Sequence, residues 1–323
     1  VELLINPPID EIRPALLDAL NRCFPHWGGD ADFQWHFLRT VGGRKSDLML
    51  VRDSGRFVAG SAVVYRPVRF SAGQPAEVGI MASSWTLPEA RGHGHFSHVI
   101  ETSVALARDH GVALLLAYVT SINASARRLL ASGAAGYPTH YLIGDGSAPS
   151  HSSQPLPQVE ELTEAALDDA MRASRAIARV SRFFYAPDEW REQYWMRPCE
   201  MRILRVCGLG MALMETKHDF DRLLALSTPG DEGADCLAPL IAWSHARGQK
   251  FFAFTTNDAW RDRAVRLGMR HLPGFLTARI GSEAALRQCL PDAAPGELHP
   301  GALYDPASPV SIVPWCIQGG DRM

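Results

Sequence analysis

The sequence predicts an α/β fold, an α+β arrangement on a mixed sheet, built as two tandem copies of which the second is degenerate. Three observations predict it. The near-continuous apolar run VALLLAYVT, residues 112–120, reads as a strand buried on both faces. Helical and strand-like periodicities alternate on either side of it. The order helix, glycine, apolar strand, asparagine, helix, glycine then occurs twice, in ALARDHGVALLLAYVTSINASARRLLASG and in AWSHARGQKFFAFTTNDAWRDRAVRLG. Asn123 and Asn257 take corresponding places, with Gly133 and Gly268 shortly after. An echo of this length points to two copies of one unit.

The elements follow in order. PALLDALNRCF carries Leu16, Leu20 and Phe24 at helical spacing. SDLMLVRD and RFVAGSAVVYRPVRF read as two strands around the tight turn Asp53, Ser54, Gly55. AEVGIMASSW is a third, longer strand, and FSHVIETSVALARDHG a helix opening at Phe96. The apolar strand comes next, then the helix NASARRLLAS and the strand THYLIG. DGSAPSHSSQPLPQ, residues 145–158, has the Ser, Pro and Gly content of a linker. VEELTEAALDDAMRASRAIARV reads as one long helix, with acids early and arginines late as the helix dipole favours. MRILRVCGLGMALMET and DRLLALST read as strands, CLAPLIAWSHARG as helix, KFFAFTT as strand and DAWRDRAVRLG as helix. Beyond Pro291 the chain is rich in Pro and Gly, and its VSIVPW reads as either an edge strand or an extended cover. The expected division is a first domain over 1–144, a linker over 145–158, a second domain over 159–291 and a tail over 292–323.

The 323 residues carry a net charge of -3 and are 46% apolar, enough for a buried core. No basic excess favours nucleic acid as a partner. No apolar run approaches membrane-spanning length. The start, VELLINPPIDE, lacks the plan of a secretory signal, which leads to the expectation of a cytoplasmic protein. Six scattered cysteines, with no CxxC and no histidine at ligand spacing, read as reduced core thiols and give no metal site.

The stretch RGHGHF, residues 91–96, carries the chemistry. A helix start offers free N–H groups and partial positive charge, so it suits a phosphate. Gly92 and Gly94 let the backbone come close to one. Arg91 adds a bidentate contact, while His93 and His95 either donate hydrogen bonds or face water. A plain glycine turn is the competing reading. No GKS or GKT follows, and the third glycine of the dinucleotide fingerprint is missing.

AEVGIMASSWTLPEARGHGHFSHVIETS resembles the core of the GCN5-related N-acetyltransferase (GNAT) superfamily. Arg91, Gly94 and Phe96 stand at the named places of its motif, with Gly92 as the frequent extra glycine. The resemblance is good over about 45–143 and weak over about 200–280. It implies acyl-coenzyme A as cosubstrate, with the pyrophosphate on the amides of 91–96 and the pantetheine arm along Met81, Ala82 and Ser83 near Asn123. It also implies the Met81 N–H at the thioester oxygen. The first domain would carry this cradle and the second would be a degenerate copy. Phe96 departs from the family's Gly or Ala. Leu130, and Ala264 in the second copy, stand where the family often has a proton-donating tyrosine, leaving Tyr118 and Tyr137 as neighbours.

Acyl transfer to an amine needs a base. Glu77, on the strand leading to the cradle, is the expected base, and the histone-acetylating branch of the family has its glutamate at the matching place. His98 and His36 are the runners-up. Trp27 and Trp35, with Trp190 and Tyr194 in the aromatic run RFFYAPDEWREQYWM, are the candidate acceptor wall, where Asp188, Glu189 and Glu192 would hold an ammonium; interdomain packing is the alternative. The acceptor class is a small-molecule amine. The overall layout resembles acyltransferases that place fatty chains on the amino sugar of glycopeptide antibiotics. Simple acetylation of a small amine, or a coenzyme-binding scaffold without catalysis, are the alternatives.

Overall fold

The computed structural model describes residues 1–41, 43–71, 75–145, 158–175, 180–228, 232–294 and 296–322. Most of the expected linker, 146–157, and residues 176–179 of the expected long helix lie outside them.

The first half runs β1 (Glu2–Ile5), α1 (Ile9–Cys23), α2 (Asp30–Phe33), β2 (Asp47–Asp53), β3 (Arg56–Arg69), β4 (Pro75–Thr86), α3 (His95–Asp109), β5 (Leu114–Thr120), α4 (Ala124–Ala131) and β6 (Ala135–Gly144). The second runs β7 (Val159–Leu162), α5 (Leu167–Arg175), β8 (Arg182–Phe183), α6 (Pro187–Trp190), β9 (Glu200–Val206), β10 (Gly210–Lys217), β11 (Phe220–Ser227), α7 (Leu237–Ala246), β12 (Lys250–Thr255), α8 (Asp258–Arg266) and β13 (Arg270–Ile280). The short helices α9 (Glu283–Cys289) and α10 (Pro300–Tyr304) follow. Ser54 and Gly55, both at positive φ, make the tight turn expected between β2 and β3.

The expected helix from 159 is interrupted. Val159–Leu162 is instead an edge strand on β9. The charge pattern explains it: Glu160 and Glu161 meet Arg205 and Arg202 across the ladder, at 2.9 and 2.6 Å, and such cross-strand pairs favour a strand.

All strands but β8 form one path, β1-β2-β3-β4-β5-β13-β6-β12-β11-β10-β9-β7, and β8 pairs with β3. The order is reciprocal. β13 of the second half inserts between β5 and β6, and β6 of the first half lies between β13 and β12. β4–β5 and β11–β12 are parallel pairs at matching places. Each parallel pair stops after four residues, at Met81/Ala117 and at Leu223/Ala253. A register shift follows at once in each half, over Ser83–Ser84 in β4 and at Leu224 in β11. An inserted residue bends its strand and raises its twist. Ser83 sits at φ 47°, a conformation that costs a serine about 1–2 kcal/mol. The strands therefore splay, and beyond Met81 β4 has no strand partner on its β5 side among the described residues.

The two splays are filled differently. That of β11 and β12 holds the chain's own tail. The Thr256 hydroxyl donates to the Trp315 carbonyl at 2.5 Å and accepts from the Ile317 N–H at 3.3 Å. Gly319 approaches so closely that a β-carbon there would overlap the Leu223 carbonyl. VSIVPW is thus an extended cover, with a single bridge from Trp315 to Ser181.

β5 is buried on both faces as its sequence predicts: Leu114 and Leu116 join one core, Leu115 and Ala117 the other. The first core lies under α1, α9 and the tail and draws residues from both halves. The second lies under α3 and α4, and a third under α7 and α8. All six cysteines are free, and Cys207 is exposed, contrary to a uniform set of core thiols.

Candidate active site

The helix α3 begins at His95, one residue before its expected start, with Gly94 as its cap in the left-handed region at φ 82°. Gly92 is also left-handed, at φ 89°. A β-carbon on either would meet nothing within 4 Å, so glycine serves backbone conformation here and the space above stays open. The first bonded amides are those of Ser97 and His98, both to the Gly94 carbonyl. No described protein group accepts from the amides of Gly92, His93, Gly94, His95 or Phe96, and no side chain caps the helix. Five consecutive free N–H groups at the positive end of a fifteen-residue helix make an anion cradle. Arg91 is exposed at its edge, and its side chain donates a long 3.4 Å bond to the Thr86 carbonyl. His93 is exposed and His95 buried.

Beside the cradle the β4–β5 splay opens into a cavity of about 570 Å³. Met81, Ser83, Ser84 and Phe96 line it from the cradle side, with Ala117, Tyr118 and Val119 of β5 opposite and Asn123 and Leu129 nearby. Asn123 caps α4 by accepting from the Ser125 N–H at 3.0 Å. Trp27, Asp32, Trp35 and His36 cover the cavity from the first half. Arg197, Glu215, Lys217, Arg222, Phe252 and Arg322 wall it from the second.

The candidates separate accordingly. Met81, Ser83, Phe96, Asn123, Trp27 and Trp35 face this space, and Ala82 is buried between its neighbours without lining it. Glu77 does not reach it. It stands at the far end of β4, paired with Arg44 at 3.0 Å. His98 is exposed on α3, also off the lining. Trp190 and Tyr194 are 3% exposed and stack on each other at 4.9 Å, inside the first core. Burying large apolar rings outweighs wall duty at these two sites. Glu189 caps the Ala186 N–H, Glu192 offers its backbone carbonyl to the Trp35 indole, and neither residue is among those lining the cavity.

Three lining residues carry a buried polar atom with no hydrogen-bond partner among the described residues: the Tyr118 hydroxyl, His36 Nδ1 and Arg322 Nε. Burial, then the charge of Asp321, pushes the Tyr118 phenol well above its ordinary value, so it stays a proton donor. Burial, then the cations Arg39, Lys217 and Arg197, pushes His36 well below the ordinary histidine range, so it stays neutral. Glu215 holds Arg197 at 3.0 Å and Arg222 at 3.3 Å. Burial pushes its carboxyl up, but the two arginines outweigh this and leave it below the usual range. Lys217 reaches across the halves to Asp32 at 2.5 Å.

The second-half wall was not legible in the sequence. Its charges are scattered over four segments, with Arg197 before β9, Glu215 and Lys217 at the end of β10, Arg222 on β11 and Arg322 in the tail, and in each place sequence alone reads a solvated face. Tyr118 was legible only as a neighbour of the expected acid.

Residues 12–134 match the sequence profile of the acetyltransferase (GNAT) family. No curated protein matches the chain. Among solved structures, the fold is similar to that of a GCN5-related N-acetyltransferase from Kribbella flavida, at 14% identity over 88% of this chain and 72% of that one, TM-score 0.57. One from Anabaena variabilis is 14% identical over 88% and 74%, TM-score 0.54. A tandem GNAT protein from the clavulanic acid biosynthesis pathway is 14% identical over 86% of this chain and 98% of its own, TM-score 0.59.

Proposed function

Residues 12–134 match the GNAT family profile, and from that match we propose that the chain is a GNAT N-acyltransferase that uses acyl-coenzyme A and acylates a primary amine of a small molecule held between two tandem GNAT-like halves. The carrying observation is the run of five unbonded amides over 92–96 beside the β4–β5 splay. In this reading the coenzyme diphosphate lies on those amides with Arg91 at its side, and the pantetheine arm takes the partnerless edge of β4 along Ala82 and Ser83. The coenzyme supplies an activated acyl group as a thioester. The Met81 N–H, where pairing ends, donates to the thioester oxygen as negative charge develops there.

Tyr118 gives its proton to the departing thiolate. The family's usual acid position is Leu130, which is 38% exposed on α4. Tyr137 packs instead on Tyr304 and is absent from the cavity lining. The amine must reach the thioester neutral. A cation-lined, buried cavity disfavours an ammonium just as it disfavours protonated His36, so the acceptor arrives deprotonated, and His36 takes the proton that its nitrogen sheds once attack on the thioester has made that nitrogen strongly acidic. Glu77 is not carried forward as base, because it is tied to Arg44 away from this space.

The second half is read as a copy that has lost its coenzyme. Its equivalent splay holds residues 315–319 of the tail. One coenzyme per chain is the expectation. The cavity volume suits a small amine and a short acyl group. No feature of the lining selects a glycopeptide amino sugar or a fatty chain, so simple acylation of a small amine is preferred.

The experiment is thiol release from acyl-coenzyme A of several chain lengths, with and without a panel of amines, alongside calorimetric binding of coenzyme A. Binding at one site per chain with amine-dependent release supports the reading. No binding would remove it, and binding without release for every amine would leave a scaffold role.

A further inference from the structure

We propose that Arg322 is the anion-binding residue of the acceptor site, so that the amine acylated here also carries a carboxylate. This rests on the acyl-transfer reading above and names the acceptor class it leaves open.

Four cations line the second-half wall, Arg197, Lys217, Arg222 and Arg322. Three are matched to carboxylates: Arg197 and Arg222 to Glu215, Lys217 to Asp32. Arg322 has no carboxylate partner among the described residues. Its guanidinium carbon lies 4.5 Å from the Tyr141 ring, 4.8 Å from Phe254 and 5.6 Å from Phe252. Its Nε is buried and bonds to no described group. The lining thus holds four cations against two carboxylates, and the unmatched one sits on aromatic faces.

A guanidinium in that setting is a planar fork of donors waiting for a planar oxyanion, which a carboxylate matches in bidentate fashion. The rings exclude water and strengthen such a pair. The residue is also held in place beforehand. Asp321 accepts from the Tyr194 hydroxyl at 2.7 Å and from the Gln318 N–H at 2.9 Å. The Gly320 carbonyl accepts from Gln193 at 2.6 Å and from Arg197 at 2.8 Å. A fixed donor loses little freedom on binding.

Position ties this fork to the chemistry. The Phe254 ring under Arg322 also meets Tyr118 edge-on at 5.6 Å. The positive charge of Arg322 acts on the Tyr118 hydroxyl. A carboxylate at Arg322 and an amine near Tyr118 then belong to one small molecule, of the size of an amino acid.

The test is calorimetric titration of hippurate, an acylated amino-acid carboxylate, and of hippuramide, its amide. Both are titrated into the full chain and into R322Q and R322K. Coenzyme A binding to each variant reports folding and the state of the cradle. Hippurate should bind the unaltered chain better than hippuramide, and R322Q should weaken hippurate by about tenfold or more. R322K, keeping charge without the fork, should fall between. Hippuramide and coenzyme A affinities should not move. Equal affinity for acid and amide, no binding of hippurate, or an unchanged hippurate affinity in R322Q each overturn the proposal. Loss of coenzyme A binding by the unaltered chain would instead remove the acyl-transfer reading beneath it.

Discussion

Met81 and Ala117 are the last residues at which β4 and β5 pair, and Leu223 and Ala253 stand in the same relation in β11 and β12. From each pair onward the strands part, yet one gap opens on a cavity and the other is closed by Gly319 and its neighbours. The difference between an open and a filled cleft thus lies in a segment about 60 to 90 residues downstream of the strands it fills.

Replacing Gly94 by alanine forces a β-carbon into the left-handed region, at a cost of about 1–2 kcal/mol. G94A should lower the melting temperature modestly and weaken coenzyme A about tenfold, because the amides no longer converge. Calorimetry and thermal melts check both. An unchanged affinity would place the diphosphate elsewhere.

Tyr118→Phe should lower kcat by about 100-fold or more, as expected on losing a general acid. The KM for acyl-coenzyme A should hold. The buried hydroxyl has no described partner, and such a group costs about 1–3 kcal/mol, so Y118F should be as stable as the parent or more so. A strong loss of stability with little loss of rate would make the residue structural.

Glu77→Gln should break only the half-exposed pair with Arg44, worth at most about 1 kcal/mol, and leave turnover near the parent value. His36→Asn should slow turnover. His36 is held well below its ordinary range, so the acid limb of the rate profile should fall below the pH at which free histidine titrates. A rate collapse in E77Q would restore the glutamate as base.

Burial lifts the Asp321 carboxyl from its ordinary value to about 6. Its folded value exceeds its unfolded one, so between about pH 4 and 6 the native state binds more protons than the unfolded state. This group's contribution is therefore fully present below about pH 4 and is lost as pH rises through about 6. D321N removes that slope. Melting temperatures of the two proteins across this window, plotted as a difference, test the sign.

The sequence alone determined the local elements whose signals are local. The apolar run over 112–120 reads as a doubly buried strand, and the glycines at 92 and 94 mark a helix mouth where the backbone can come close to a ligand. Asn123 and Asn257, which take corresponding places in the two echoes, each cap a helix. The tertiary structure decided which half keeps an open cleft, how β6 and β13 change places, and which charges meet. Glu77 looked poised because it shares a strand with Met81, but four residues of extended chain put it beyond the cavity and beside Arg44. Arg322 gave no signal, because its meaning comes from Tyr141 and Phe254, far away in sequence and brought to it by the sheet. Periodicity and turn chemistry act over a few residues, whereas a binding wall is assembled by packing between segments that no short pattern connects.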